Sequence, residues 1–502
     1  MTSLIVGICL FLPAMPLLNE NVDFSSFCTG PELELNSFTY RLSKHVPVLM
    51  KKYKIPGVSM AILKDGRTAW CKSFGFADIE TGRKMTNDTY CRVESISKSV
   101  TAWGVMKLVE NGIIELDQPV QIYLKNWKIP DSEYSEEKIT VRTLLSHSSG
   151  FPLGTIGVRY SPVERMPSLE ERLTEDAILK QEPGLSFLYS NTGYNILELL
   201  IEEVTGREFA EYMKNEVLIP LGMLNSDFIW SEEMRPEVPF GYDLKGNPIP
   251  VYVYPDKASG GLFASVEDIA TFVAAGMKCN SDKNHKVISE NSIDELYNPK
   301  VDIKGYLGFA FDYYGFGHFI EYFSNGIKAI SHGGQGTGWM THFHSVPSTG
   351  DGIVILTNSQ RSWPLISYIL TDWAEWNRFP GLGMSKIVYG NRILRIFIFM
   401  LLIVLSVQSF LLFKGILSGR RRFKLPSKSS TLISFAQFFV FVILSSVLIR
   451  AVTRQYLFVS SVFPVVSEWL GYSILFTAIL SLMSALFPCF SKNDPVLPDH
   501  SG

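Results

Sequence analysis

Three stretches near the C-terminus contain no charged residue: 396–413, 429–449 and 469–491. Each approaches the roughly 20 apolar residues needed to cross the hydrocarbon core of a bilayer. As buried helices of a soluble domain they would need a large polar shell, which the tail lacks. They predict transmembrane helices at 393–413, 429–449 and 469–490, with membrane lipid as their partner. The loop at 414–428 carries Lys414, Arg420, Arg421, Arg422, Lys424 and Lys428, whereas the next carries only Arg450 and Arg454. Basic residues favour the cytoplasmic side. The first loop is therefore expected inside, and the globular part before it outside the cytoplasm, in a multi-pass protein of the cell membrane.

Charge divides the chain in the same way. Residues 396–490 carry a net +7, so the rest carries −10 of the overall −3. That balance argues against a nucleic-acid partner. A hydrophobic content of 46% leaves ample material for a packed core. Leu4–Leu18 is apolar and broken by Pro13 and Pro16. It reads as a signal peptide or N-terminal anchor over 1–25, leaving 26–385 as the globular domain. None of the six cysteines forms a C-x-x-C pair, so neither a zinc nor a thioredoxin-type site is expected. Cys71 and Cys91 are the best-placed pair for a disulfide, and two buried free thiols are at least as strongly expected.

Within 26–385, Gly57–Leu63 alternates as a strand and Arg67–Ala77 follows Lys64-Asp65-Gly66 as its hairpin partner. Val100, Trp103, Met106 and Val109 share one helix face, ending at Asn111-Gly112. Tyr194, Leu197, Ile201 and Val204 form a second stripe that ends at Gly206. Gly326–Ser331, Met340–Val346 and Gly352–Thr357 read as successive strands. Strands at both ends with helices between them predict one α+β unit whose sheet draws on both termini.

Three short motifs carry chemistry. Ser95-Ile96-Ser97-Lys98 opens the first helix, after a strand-like Thr89–Val93. A serine there meets exposed backbone N–H groups suited to an oxyanion. A spacing of three puts Lys98 on the same face, placed to take the serine proton. Tyr189-Ser190-Asn191 precedes the second helix. A tyrosine beside a lysine is expected to have its pKa lowered toward use as a base. His332-Gly333-Gly334-Gln335 follows a strand-like run, and its glycines would admit a ligand close to the backbone. Each has a plainer reading: a helix cap, a core tyrosine, a tight turn.

Together and in this order, the motifs resemble those of the serine β-lactamase and penicillin-binding-protein superfamily: S-x-x-K, Y-x-N, then a K/H-x-G strand. The class C β-lactamase-related branch, with its D-alanyl-D-alanine carboxypeptidases, D-aminopeptidases and esterases, is the most similar. Ile139–Gly150, Pro183–Tyr194 and Ser259–Phe263 match further stretches of that branch, and the resemblance spans about residues 35–380. It implies a β-lactamase/transpeptidase-like antiparallel sheet flanked by helices, with a helical subdomain and the site between. It also implies Ser95 as nucleophile and Lys98 with Tyr189 as the proton-shuttling pair. Asn191, His332, Gly333 and Gly334 would bind substrate, and the backbone N–H groups of Ser95 and Gln335 would form the oxyanion hole. No cofactor or metal is implied, and the substrate would be a small molecule or peptide. His147 is expected to be scaffold. His342 and His344 alternate on one strand and are expected to be ordinary strand residues.

His332 stands where β-lactamases and transpeptidases usually carry lysine. A histidine is mostly neutral at pH 7, which favours peptides or esters over anionic β-lactams. Its protonation near the ordinary imidazole pKa of about 6.5 is expected to restore a cation for carboxylate-bearing substrates. The expectation is an exported serine hydrolase acting through an acyl-enzyme. Its alternatives are a genuine β-lactamase, or a non-catalytic ligand sensor coupled to the membrane tail.

Overall fold

The computed structural model describes residues 31–234, 236–278, 287–424, 432–453 and 457–489. The expected segment at 1–25 lies outside these, as do Cys9, Cys28, Cys279 and the end of the basic loop. The chain divides into two compact units, residues 28–388 and a second that contains 389–502.

The first unit is built on an antiparallel sheet. Its strands are β1 (Gly57–Lys64), β2 (Arg67–Asp78), β3 (Arg83–Lys84), β4 (Val301–Asp302), β5 (Tyr313–Tyr314), β6 (Phe319–Tyr322), β7 (Lys328–Gly336), β8 (Trp339–Val346) and β9 (Asp351–Thr357). They lie in the order β3-β2-β1-β9-β8-β7-β6-β5-β4. The N-terminal hairpin thus joins the C-terminal strands through β1 and β9, with Val58 opposite Thr357. The expected sheet drawn from both termini is the one observed. Asp65 and Gly66 both have positive φ, which closes the β1–β2 hairpin with the twist its strands require.

Helices cover both faces. On one face lie α1 (Pro31–Tyr53) and, much later in the chain, Trp363–Trp376. Phe38 of α1 stacks on Trp376 with ring centroids 4.4 Å apart. Against the other face lie α2 (Ile96–Glu110) and Val266–Ala275, where Trp103 meets Phe272 and Phe272 meets Phe343 of β8. α2 is buried on nearly every side, as expected for a central helix rather than an amphipathic one. α3 (Asn191–Thr205) belongs to the helical part and stops at Gly206, whose left-handed backbone closes the helix.

The strand expected to stop at Ser331 continues to Gly336, so His332-Gly333-Gly334-Gln335 lies within β7, on a strand as the resemblance implies and not in the plainer tight turn. Of the two readings for Cys71 and Cys91, free thiols are the one observed. Burial pushes both thiols well above their ordinary range.

Three helices among the described residues from 383 onward are long and apolar enough to cross a membrane. The candidate spans are Gly383–Leu417, Leu432–Val452 and Val466–Leu486. The two later helices pack along each other, and apolar side chains surround each rather than forming one stripe.

Candidate active site

The site begins at a sharp junction between a short strand, Cys91–Arg92, and the start of α2. Glu94 sits in the left-handed region at φ +52°, which costs a residue other than glycine about 1–2 kcal/mol. Its side chain holds it there. Arg92 and Glu94 form a buried ion pair at 3.0 Å, and Tyr252 donates to the same carboxylate at 2.9 Å. Arg92 also donates to the carbonyls of Tyr252 and Gly260. Thr341 of β8 donates to the Val93 carbonyl at 2.8 Å. Ser95 is thereby turned out at the helix start. Its hydroxyl makes no capping hydrogen bond, and it is partly exposed.

Lys98 is wholly buried one turn along α2. Its Nζ donates to Ser95 Oγ at 3.2 Å, to Asn191 Oδ1 at 2.8 Å and to the Ser259 carbonyl at 2.6 Å. Burial pulls the lysine down to about 7; Glu94 and Asp256 oppose that pull. A near-neutral amine within hydrogen-bond reach of a hydroxyl is suited to take its proton.

Tyr189 approaches from the other side. Its ring centre is 5.0 Å from Lys98 Nζ. The expected lowering of its pKa is reversed: burial drives the phenol up, and a hydrogen bond with Ser95 only partly offsets this. Tyr189 therefore keeps its proton at neutral pH, and Lys98 is the base-like member of the pair. Asn191 is the first residue of α3, whose N-cap Ser190 accepts from the Gly193 N–H.

β7 forms the remaining wall. β6 pairs with it only as far as Ser331, so that edge has no partner in β6 from His332 to Gly336. The glycines answer to packing. A Cβ on Gly334 would lie 2.2 Å from the Val93 carbonyl oxygen, and one on Gly336 would run into the Glu94 carboxylate. One on Gly333 would lie 2.7 Å from Trp363. These positions bring the strand against the Val93–Glu94 elbow and place Gln335 beside it. The Ser95 N–H donates to none of the described residues.

His332 is fully buried on the same face of β7 as Gly334 and Gly336, its ring 6.3 Å from that of Tyr189. Its Nδ1 donates to the Gly333 carbonyl at 2.9 Å, so its Nε2 accepts from the Tyr314 hydroxyl at 3.1 Å. Both ring nitrogens are satisfied in the neutral form. Burial, then the nearby Lys98, hold its pKa well below the ordinary imidazole value. The expected gain of a cation near pH 6.5 is therefore corrected: His332 stays neutral there.

His147 is also buried and neutral. Its Nδ1 accepts from the Ser190 N–H at 3.2 Å, and its carbonyl accepts from Leu188 N–H at 2.7 Å. With its ring 4.3 Å from that of Tyr189, it seats the Tyr189-Ser190 segment. His342 and His344 lie buried on β8 against Trp363 and Trp373.

Three contributors went unnoticed in the sequence: Glu94, the Ser259 carbonyl and Tyr314. Only Ser259 had a signal, since it begins the matched Ser259–Phe263 stretch.

A family model described as Beta-lactamase matches residues 42–366. Protein flp of Staphylococcus aureus strain MRSA252 is 24% identical over 450 residues, covering 87% of each chain. Esterase EstB of Burkholderia gladioli is 29% identical over 235 residues, covering 44% of this chain and 59% of its own. Among solved structures, the octameric penicillin-binding protein homologue from Pyrococcus abyssi aligns with a TM-score of 0.60 at 29% identity. That alignment covers 71% of this chain and 81% of its own.

Proposed function

Because the chain belongs to the Beta-lactamase family, we propose that it is a membrane-anchored, exported serine hydrolase acting on D-amino-acid peptides, cell-wall peptides or esters. The observation that carries this reading is the buried Lys98 amine, held 3.2 Å from the Ser95 hydroxyl with its pKa brought down to about 7.

Neutral Lys98 takes the Ser95 proton as Oγ attacks the substrate carbonyl carbon. The oxygen of the tetrahedral intermediate is met by the backbone N–H groups of Ser95 and Gln335. Asn191 binds Lys98 and orients the substrate amide. Collapse breaks the bond to the amine or alcohol, which leaves with a proton delivered through Lys98 and Tyr189. Water then attacks the acyl-enzyme by the same steps in reverse, restoring the Ser95 hydroxyl.

The preference for esters and peptides over anionic β-lactams rests on His332, which brings no positive charge to β7. Membrane attachment rests on the apolar C-terminal helices, and export on the basic residues of the loop after the first. Intact mass after exposure to a fluorophosphonate and, separately, to a fluorescent penicillin tests the reading. A single adduct that Ser95→Ala abolishes is the expected result. An adduct that survives in Ser95→Ala overturns it.

A further inference from the structure

Glu198 is an acidic residue buried in α3, two turns beyond Asn191, and completely inaccessible to solvent. One carboxylate oxygen, Oε2, accepts the backbone N–H groups of Lys257 at 2.6 Å and Ala258 at 2.7 Å. The other, Oε1, lies 3.5 Å from Lys257 Nζ and has no hydrogen-bond partner among the described residues. The next residue in the turn is Ser259, whose carbonyl takes the shortest of the hydrogen bonds from Lys98. Thr101 of α2 donates to the Ala258 carbonyl at 3.0 Å, tying the same turn to the helix that bears Ser95.

Taking the proposed role of Lys98 as its basis, we infer that Glu198 is a positioning residue: its carboxylate clamps the 257–259 turn and so aims the Ser259 carbonyl at the Lys98 amine. A buried carboxylate is costly unless its bonds are made, and the two it makes go to this one turn. A carbonyl accepting from an amine favours the protonated amine. The clamp therefore holds the Lys98 pKa up, against the burial that pulls it down. The charged groups facing Glu198 are Lys257, Asp256 and Glu202. Burial lifts the Glu198 carboxyl to about 7, with Lys257 and the Ala258 N–H acting against the rise. The clamp and the amine thus change charge in the same pH range.

The test is the titration of Lys98 in the full chain in detergent, followed by NMR of lysine labelled with ¹³C at Cε. The signal is assigned by its loss in Lys98→Arg. In Glu198→Ala the midpoint is expected to fall by about one pH unit. In Glu198→Gln, which keeps one accepting oxygen, it falls by less. The double variant Glu198→Ala/Lys257→Met removes the lysine charge that Glu198→Ala leaves unpaired, and the fall persists. An unmoved midpoint in Glu198→Ala overturns the inference, as does a fall that disappears in the double variant. Should Glu198→Ala not fold, an unmoved midpoint in Glu198→Gln overturns it. The NMR signal does not require turnover. A loss of the Ser95 assignment would thus appear separately, as an adduct that survives in Ser95→Ala.

Discussion

Lys98 Nζ and Ser95 Oγ are 3.2 Å apart, and of the two only the serine reaches solvent. The pair divides its work by exposure. Burial removes the lysine's proton near neutral pH, while the strained elbow at Glu94 presents the hydroxyl to the cleft. The two effects meet at Glu94, which shapes the elbow and also opposes the fall of the lysine pKa.

Ser95→Ala is expected to end covalent labelling and turnover with little change in thermal stability. Loss of a true serine cap costs about 1 kcal/mol, and the Ser95 hydroxyl makes no such cap bond. Differential scanning fluorimetry beside a labelling gel reads both outcomes. A large drop in Tm would assign Ser95 a structural role that its geometry does not show.

The pH profile follows from Lys98. Its pKa is brought down to about 7 by burial, and in the proposed role it can take the serine proton only when neutral. The kcat/KM of an uncharged ester should therefore rise as pH increases through about 7 and then level off. Lys98→Met should lose about 100-fold or more. A profile that is flat from about pH 5.5 to 8.5 would show that the proton goes elsewhere.

His332 leads to the opposite expectation. His332 is buried with both ring nitrogens already satisfied in the neutral form, Nδ1 donating to Gly333 and Nε2 accepting from Tyr314. The ratio of kcat/KM for a carboxylate-bearing ester to that of its neutral analogue should stay flat between about pH 5.5 and 7.5. A ratio that climbs as pH falls, and no longer climbs in His332→Gln, would mean that the imidazole does become charged.

Much of this was legible in the residues because the chemistry is local. Ser95 and Lys98 share a helix face by spacing alone, and Asp65-Gly66 fixes its hairpin by backbone preference. The contributors that escaped notice act across the chain. Glu94 depends on Arg92, Tyr252 and Tyr254, and Glu198 reaches a turn about sixty residues away. No local pattern marks either. The short strands β4, β5 and β6 lack a clear alternating signal; β6 takes the edge of β7, and β5 and β4 add to it in turn. The pKa directions of Tyr189 and His332 were misjudged because the loss of solvent around each ring is not visible in the motifs.

The Arg92–Glu94 pair should be costly to break. Both side chains are almost fully buried, and removing one partner of such a pair leaves the other charge without compensation. Glu94→Ala is expected to destabilise the domain by about 3–5 kcal/mol. Urea unfolding of the full chain in detergent, followed by tryptophan fluorescence, measures it. Arg92→Met/Glu94→Gln should recover much of that loss, since no buried charge remains. A Glu94→Ala variant as stable as the parent would mean that the elbow is held by the hydrogen bonds of Val93 alone, from its N–H to the Leu262 carbonyl and from Thr341 to its own carbonyl.

Membrane orientation is settled by accessibility. Six basic residues crowd the loop at 414–428 and two lie in the next, so the first loop should face the cytoplasm. Glu80 is exposed in the turn after β2, and Ser418 is exposed just beyond the first apolar helix. With the native cysteines replaced, Glu80→Cys should react with an impermeant maleimide in intact cells. Ser418→Cys should react only after the cells are opened. The reverse pattern would place the domain in the cytoplasm, and cell-wall peptides would then be out of its reach. Labelling of both in intact cells would put 80 and 418 on the same side and exclude the stretch before Ser418 as a span. The net +7 of the tail would then need another explanation, such as contact with anionic lipid from outside.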